Sequence, residues 1–179
     1  MEKNIIITGL PGVGKTTLIK GILHEIRRSL NPIGFYTEEI REKGIRTGFS
    51  LINVTGEKSI LAAENIPSRF RVGKYGVDLV NFEKFIGNIP FRDPASRIII
   101  IDEIGKMECF SKMFTELVME LLSSNKLVVA TVALKGTGLM AQVKSRPDIE
   151  LIEITTDNRN DLLPSILSRI ALNRQRSIR

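Results

Sequence analysis

"ITGLPGVGKTTLIKG", Ile7 to Gly21, places glycines at 9, 12 and 14 and follows them at once with Lys15 and Thr16. Gly9-Leu10-Pro11-Gly12-Val13-Gly14-Lys15-Thr16 fits the pattern G-x-x-x-x-G-K-S/T in full, with Thr17 directly behind it. Glycines at these points let successive backbone N–H groups curl around phosphate oxygens, and a helix opening near Lys15 adds its positive dipole end. Lys15 supplies a point charge for the outer phosphates, and the Thr16 hydroxyl is placed to coordinate Mg²⁺. The flanks agree with this reading. Lys3–Thr8 is a short β-branched run that reads as a buried parallel strand. Behind the loop, Ile19, Ile22, Leu23, Ile26 and Leu30 share one helical face that ends near Asn31–Pro32.

Outward from this unit the chain alternates. Ile98–Ile101, Leu127–Ala133 and Ile149–Thr155 read as strands. Phe110, Met113, Phe114, Leu117, Val118, Leu121 and Leu122 form one helix face, and Leu162, Leu163, Ile166, Leu167 and Ile170 form a last one. Such βα alternation predicts an α/β three-layer sandwich of the P-loop NTPase type, built on a mainly parallel sheet. Between Ile33 and Ala62 the pattern differs. "IGFYTEEI", "IRTGFSLINVT" and "KSILAA" are short, β-rich and broken at Lys43–Gly44 and Gly56–Glu57, which predicts an inserted antiparallel meander at about 33–62. Asp78 is placed to cap a helix burying Leu79, Phe82 and Ile86. We find no internal repeat, no low-complexity segment and no linker, so the 179 residues are expected to form one domain.

Composition narrows the chemistry. The chain carries 26 Lys plus Arg against 20 Asp plus Glu, a net charge of +6 that suits anionic ligands without any run of five or more like charges. One cysteine, Cys109, excludes an intrachain disulfide and a multi-cysteine zinc site; one histidine, His24, argues against a triad or a histidine-rich metal site. Cys109 and Met107 read as packing residues. Apolar runs such as "RIIIID" are too short to cross a bilayer, and "NIIITG" does not open a secretory signal, so a cytoplasmic protein without membrane contact is expected. The C-terminal "NRQRSIR" reads as a solvated tail.

"RIIIIDEIGKME" is the second motif. Its isoleucines bring Asp102 to the carboxyl end of a strand, the edge where parallel sheets bind ligands, and an acid there is the usual partner of a phosphate loop in holding Mg²⁺. Glu103, next in the chain, is placed to polarise a water for in-line attack on a γ-phosphate. In phosphate loop ATPases with an Asp-Glu pair, a further strand separates the loop strand from the acidic one and ends in a polar residue facing the γ-phosphate. "KLVVATVALKG" makes Thr131 the candidate for that place. Arg69, Arg71, Lys74, Lys106 and Arg159 are the candidates for an added cation on the transition state. "TDNRND", Thr156–Asp161, has Asn158 and Asp161 spaced as in a guanine-reading motif, although Asn160 or Asp161 reads more simply as the cap of the last helix.

"GFYTEEIR" (Gly34–Arg41), "RTGF" (Arg46–Phe49), "VGKYGVDL" (Val72–Leu79), "IDEIGKME" (Ile101–Glu108) and "NRND" (Asn158–Asp161), in order behind the phosphate loop, resemble the THEP1 family of nucleoside-triphosphatases. Cys109 stands where that family often carries leucine. The resemblance implies a stand-alone enzyme that slowly hydrolyses several nucleoside triphosphates (ATP, GTP, CTP, UTP and TTP) to the diphosphate, with Mg²⁺ and little base preference. It further implies nucleotide contacts along Gly9–Thr16 and along Ile99, Ile100, Ile101, Asp102, Glu103, Ile104, Gly105 and Lys106, with a parallel sheet extended by antiparallel strands. Two other readings stay open at this point. One is a small-molecule kinase using "SRFRVGKYG" as a lid over the phosphates. The other is a nucleotide-dependent switch that binds nucleic acid.

Overall fold

A computed structural model of the chain describes residues 4–176, with side chains through 173; most of the "NRQRSIR" tail lies outside the described side chains. In chain order the elements are β1 (Asn4–Gly9), α1 (Lys15–Leu30), β2 (Ile33–Glu42), β3 (Ile45–Asn53), β4 (Lys58–Ala63), β5 (Arg71–Val72), β6 (Tyr75–Val77), α2 (Leu79–Gly87), β7 (Ile98–Ile104), a 3-10 turn (Glu108–Phe110), α3 (Lys112–Ser123), β8 (Leu127–Ala133), α4 (Leu139–Lys144), β9 (Ile149–Glu153) and α5 (Leu162–Arg176). The described strands form one nine-stranded sheet in the order β5-β6-β4-β3-β2-β7-β8-β1-β9. From β2 to β9 the pairings are parallel, and beyond β2 they are antiparallel.

The isoleucine runs of β1 and β7 are apolar toward both layers because both faces are covered, and alternate residues serve different layers. Ile5, Ile7, Ile98, Ile100 and Val129 pack under Leu18, Ile19, Ile22 and Ile26 of α1 and Ile166 and Ile170 of α5. Ile6, Ile99, Ile101, Val128 and Ala130 meet Phe82, Phe85 and Ile86 of α2, Phe114, Val118 and Leu122 of α3, and Leu139 and Val143 of α4. This is the expected three-layer arrangement. In the second layer Phe35 of β2 is fully buried and meets Phe82, Phe85 and Phe114 edge-on, with ring centroids 6.1–6.3 Å apart. Local chemistry ends the helices where the sequence implies. Asn31 takes a left-handed conformation (φ 44°) before Pro32 to stop α1, and the Asp78 carboxylate accepts the N–H of Asn81 at 3.0 Å to start α2.

Several boundaries differ from the sequence reading, each for a packing reason. The antiparallel extension runs past Ala62, because "RVGKYGV" folds as the β5–β6 hairpin and β6 adds to β4. The strand carrying Asp102 continues to Ile104, held by pairing of Ile104 with Val132 of β8. The last strand stops at Glu153, not Thr155. Phe110 and Met113, expected on the buried face of α3, lie at its exposed start, since the helix is entered through the 3-10 turn and begins at Lys112. The short α4 behind Gly138 has no counterpart in the sequence pattern, since six residues leave little periodicity to read. No described helix is long and apolar enough to cross a membrane.

β2 crosses onto β7 at one unusually close point. Gly34 pairs with Ile100 at φ +125°, and a Cβ built there would lie 1.9 Å from the Ile100 carbonyl oxygen. Gly44, in the β2–β3 turn, also has positive φ (+82°) but nothing within 4 Å of its Cβ position. Gly34→Ala is therefore expected to fail to fold or to lose most of its thermal stability, whereas Gly44→Ala should cost only about 1–2 kcal/mol of left-handed strain. Denaturant melts of the two variants side by side read this directly.

Candidate active site

The phosphate loop leaves β1 under tight constraint. A Cβ on Gly9 would lie 2.5 Å from the Ile154 carbonyl oxygen, so the loop starts pressed against the chain leaving β9. Gly12 (φ +76°) and Gly14 (φ +116°) take backbone angles that favour glycine and turn the loop into α1. Leu10, Pro11 and Gly12 are exposed, Val13 is buried beneath them, and Thr17 is exposed on the first turn of the helix. Lys15 is buried, and its Nζ donates to the carbonyls of Gly9 at 3.1 Å and Leu10 at 3.3 Å.

Asp102 is completely buried at the carboxyl end of β7. Its Oδ2 accepts the Thr16 hydroxyl at 2.7 Å, its Oδ1 accepts the Thr131 hydroxyl at 2.5 Å, and the Thr37 backbone N–H donates to the same carboxylate. Burial raises its pKa above the ordinary carboxylate value; the three hydrogen bonds and the Lys15 charge oppose that rise. β8 does lie between the loop strand and the Asp-Glu strand, and Thr131 sits on it fully buried with its hydroxyl on Asp102.

The next peptide, Asp102–Glu103, is cis. Glu103 is half-buried with Oε2 at 3.6 Å from Lys15 Nζ, the distance of a loose ion pair. Burial and the neighbouring Asp102 charge raise its pKa, and Lys15 lowers it. The side chains of Ile99, Ile100, Ile101 and Ile104 are fully buried in the two cores, so they carry the acids to the edge and themselves face no open surface. Gly105 lies between two carboxyls: a Cβ there would be 2.9 Å from Glu108 Oε2 and 3.3 Å from Glu103 Oε1.

Glu108 is the functional-edge residue that sequence reasoning passed over. It is buried in the 3-10 turn behind the acidic strand, and burial pushes its pKa up to about 8, with the charges of Glu103 and Asp102 adding to the rise. The only signal available was a third acid in "DEIGKME", and a turn that buries it cannot be read from spacing.

The remaining candidates separate. Arg71 donates to the Ile66 and Lys74 carbonyls, and Lys74 pairs with Glu64 at 2.6 Å, so both are engaged within the hairpin at the sheet edge. The Arg69 guanidinium lies 4.8 Å over the Phe70 ring, which contacts Phe110 behind the acidic strand. Lys106 and Arg159 are exposed, and the Arg159 N–H caps the Thr155 carbonyl at 3.1 Å. Asn158 is committed to its own loop: Oδ1 accepts the Thr155 N–H at 2.8 Å and Nδ2 donates to the Glu153 carbonyl at 2.9 Å. Asp161 stands directly before α5. Cys109 packs partly buried against the core. The groups placed to hold a cation are the Thr16 hydroxyl and, directly behind it, the fully buried Asp102 carboxylate. No group of three or more His, Cys, Asp or Glu that could hold a metal occurs among the described residues, so phosphate oxygens and water must complete any Mg²⁺ shell, as that ion prefers.

Residues 4–167 match the model of a family described as NTPase. The chain is 45% identical over 171 residues to "Nucleoside-triphosphatase THEP1" of Thermotoga sp. (strain RQ2), covering 95% of this chain and 97% of that one. Its fold superposes on the crystal structure of THEP1 from Aquifex aeolicus with a TM-score of 0.83 at 42% identity, covering 92% of this chain and 97% of that one. The solution structure of a human cancer-related nucleoside triphosphatase gives a TM-score of 0.81 at 35% identity, covering 94% and 97%.

Two consequences of this geometry can be measured. Thr131→Val keeps the side-chain shape and removes one donor from a buried carboxylate, so it should cost about 1–3 kcal/mol in a denaturant melt; an unchanged melt would mean that the contact carries no energy. For Glu108 the sign follows from a folded pKa of about 8 above the ordinary value of 4.5: the folded form holds its proton longer, so stability is full below pH 4.5 and is lost as pH rises to about 8. Glu108→Gln should flatten that limb and melt higher than the parent at pH 8.

Proposed function

The chain belongs to the THEP1 family of nucleoside-triphosphatases, and on that premise we propose that it is an Mg²⁺-dependent enzyme that slowly hydrolyses ATP, GTP, CTP, UTP and TTP to the diphosphate and phosphate. We take the whole chain as one domain acting in the cytoplasm. The observation that carries the reading is the junction of the loop helix and the acidic strand: Thr16 on Asp102, with Glu103 beside Lys15. Hydrolase activity agrees with the names of the relatives.

In this reading the N–H groups of Gly9–Thr16 hold the outer phosphates, and Lys15 places its charge where negative charge grows as the bond to the leaving diphosphate lengthens. Thr16 and Asp102 would hold Mg²⁺, which when bound neutralises charge on the phosphate oxygens. Thr131 and the Thr37 N–H fix the Asp102 carboxylate so that its orientation is set in advance. Glu103 orients the attacking water and accepts its proton; the new P–O bond forms in line as the bond to the diphosphate breaks. A pKa raised by burial makes Glu103 a better base than an exposed carboxylate, and the Lys15 charge opposes that rise. Broad base use fits the commitment of the Asn158 amide to loop carbonyl and N–H groups, which leaves it no free edge for guanine.

The test is phosphate release from ATP, GTP, CTP, UTP and dTTP with Mg²⁺ and no acceptor. Similar slow release from all five is expected. Glu103→Gln should retain nucleotide affinity and lose about 10²–10⁴-fold in turnover, and Lys15→Ala should weaken both. Release that begins only when a nucleoside or other acceptor is supplied would replace hydrolysis by transfer.

A further inference from the structure

Along the phosphate-loop helix, beginning at Lys20 one turn beyond Thr16, lies a cavity of about 220 Å³ between α1 and the first strands of the meander. Its origin is architectural. α1 lies over the parallel strands, while β2 and β3 run on past it, so the sheet face toward α1 is left open beyond β2. The β3–β4 turn closes the far end, its shape set by Asn53, whose Oδ1 accepts the N–H groups of Thr55 and Glu57.

The lining is not neutral. Lys20, Leu23, His24 and Arg27 descend one side of α1, and Tyr36 from β2 and Val54 from the β3–β4 turn line the other side. Helical spacing puts the three basic or titratable groups of α1 on one stripe above an apolar floor of Leu23 and Val54. Lys20 is balanced by Glu38 at 2.6 Å and stands 5.6 Å over the Tyr36 ring. Among the described residues, neither Arg27 nor His24 has a hydrogen-bond or ion-pair partner. The guanidinium is therefore a free fork of donors, held at the rim of a small cavity with an aromatic wall.

We propose that this cavity is a second binding site, distinct from the phosphate loop, for a nucleoside monophosphate, in which a phosphate monoester and a flat ring are joined through a sugar. A forked guanidinium matches phosphate oxygens in pairs, His24 adds a neighbouring N–H one turn earlier, and Tyr36 with Leu23 and Val54 supplies apolar faces for the ring. A free phosphate satisfies only the rim and an uncharged ring only the floor. The site shares β2 with the catalytic edge: Tyr36 and Glu38 flank Thr37, whose N–H holds Asp102. The proposal is independent of the reaction performed at the loop.

AMP, adenosine and inorganic phosphate are the probes, titrated calorimetrically into protein already saturated with a non-hydrolysable ATP analogue and Mg²⁺. AMP is expected to bind one-to-one to the saturated protein, and adenosine and phosphate at least about tenfold more weakly, since each lacks one half of the match. Arg27→Ala should weaken AMP by about 10- to 100-fold, the worth of a charge-assisted hydrogen-bonded pair, with Arg27→Lys in between and the analogue's affinity unchanged. Absence of AMP binding to the saturated protein overturns the proposal. AMP binding that Arg27→Ala leaves unaltered, or an equal loss of AMP and analogue, overturns it as well. Phosphate release by Arg27→Ala in the absence of AMP, measured alongside, should equal the parent's and keeps the two readings separate.

Discussion

The carboxylate of Asp102 is taken wholly out of water, and the arrangement of the surrounding elements follows from what it takes to leave it there. A buried carboxylate without partners costs several kcal/mol. Here three donors come from three elements: Thr16 from α1, Thr131 from β8 and the Thr37 N–H from β2. Only a sheet with β7 between β2 and β8, and with β1 next outward, lets all three reach one side chain. The hydroxyls come from a helix and a strand far apart in sequence, so the carboxylate reports whether the halves of the domain have met in register.

Three acids close together in the chain are sorted by their surroundings. Asp102 is saturated with hydrogen bonds, Glu103 leans toward the Lys15 ammonium, and Glu108 is buried near both with its pKa pushed to about 8. Environments that separate the proton affinities of neighbouring carboxyls allow one to stay an anion at the cation site and another to move a proton. Gly105 is what permits the crowding, because any side chain there would meet both glutamates. The short segment after β7 thus has little freedom to vary without changing the charge balance at the sheet edge.

What could be read from the sequence was what is local. The phosphate loop, α1 and the acidic strand are each encoded within a dozen or so residues, by glycine placement or by an unbroken β-branched run. Strand order gave Thr131 a place beside the site, but which atom its hydroxyl would touch depends on the lateral approach of β7 and β8, which no spacing expresses. The same limit hid Glu108, whose burial comes from a turn, and Gly34, whose φ is forced by a strand paired from far along the chain. The β5–β6 hairpin and α4 were lost because two- to six-residue elements leave too few positions to show a period. The isoleucines of β7 lie next to Asp102 in sequence, but their side chains are buried in the cores.

β2 is the member that makes the meander part of the catalytic edge instead of an appendage. Its first residues, Ile33–Phe35, pair in parallel with β7, while nearly its whole length pairs antiparallel with β3. One strand therefore belongs to both kinds of sheet, and Phe35 ties it to α2 and α3 through three ring contacts. A lid needs a hinge and few buried contacts; this extension has neither at its root, since Gly34 is locked against Ile100 and Thr37 is hydrogen-bonded to Asp102. The meander is accordingly a fixed wall. One of its faces is spent on the core, and the opposite face, which α1 covers only at its edge, is where the cavity beside Arg27 opens.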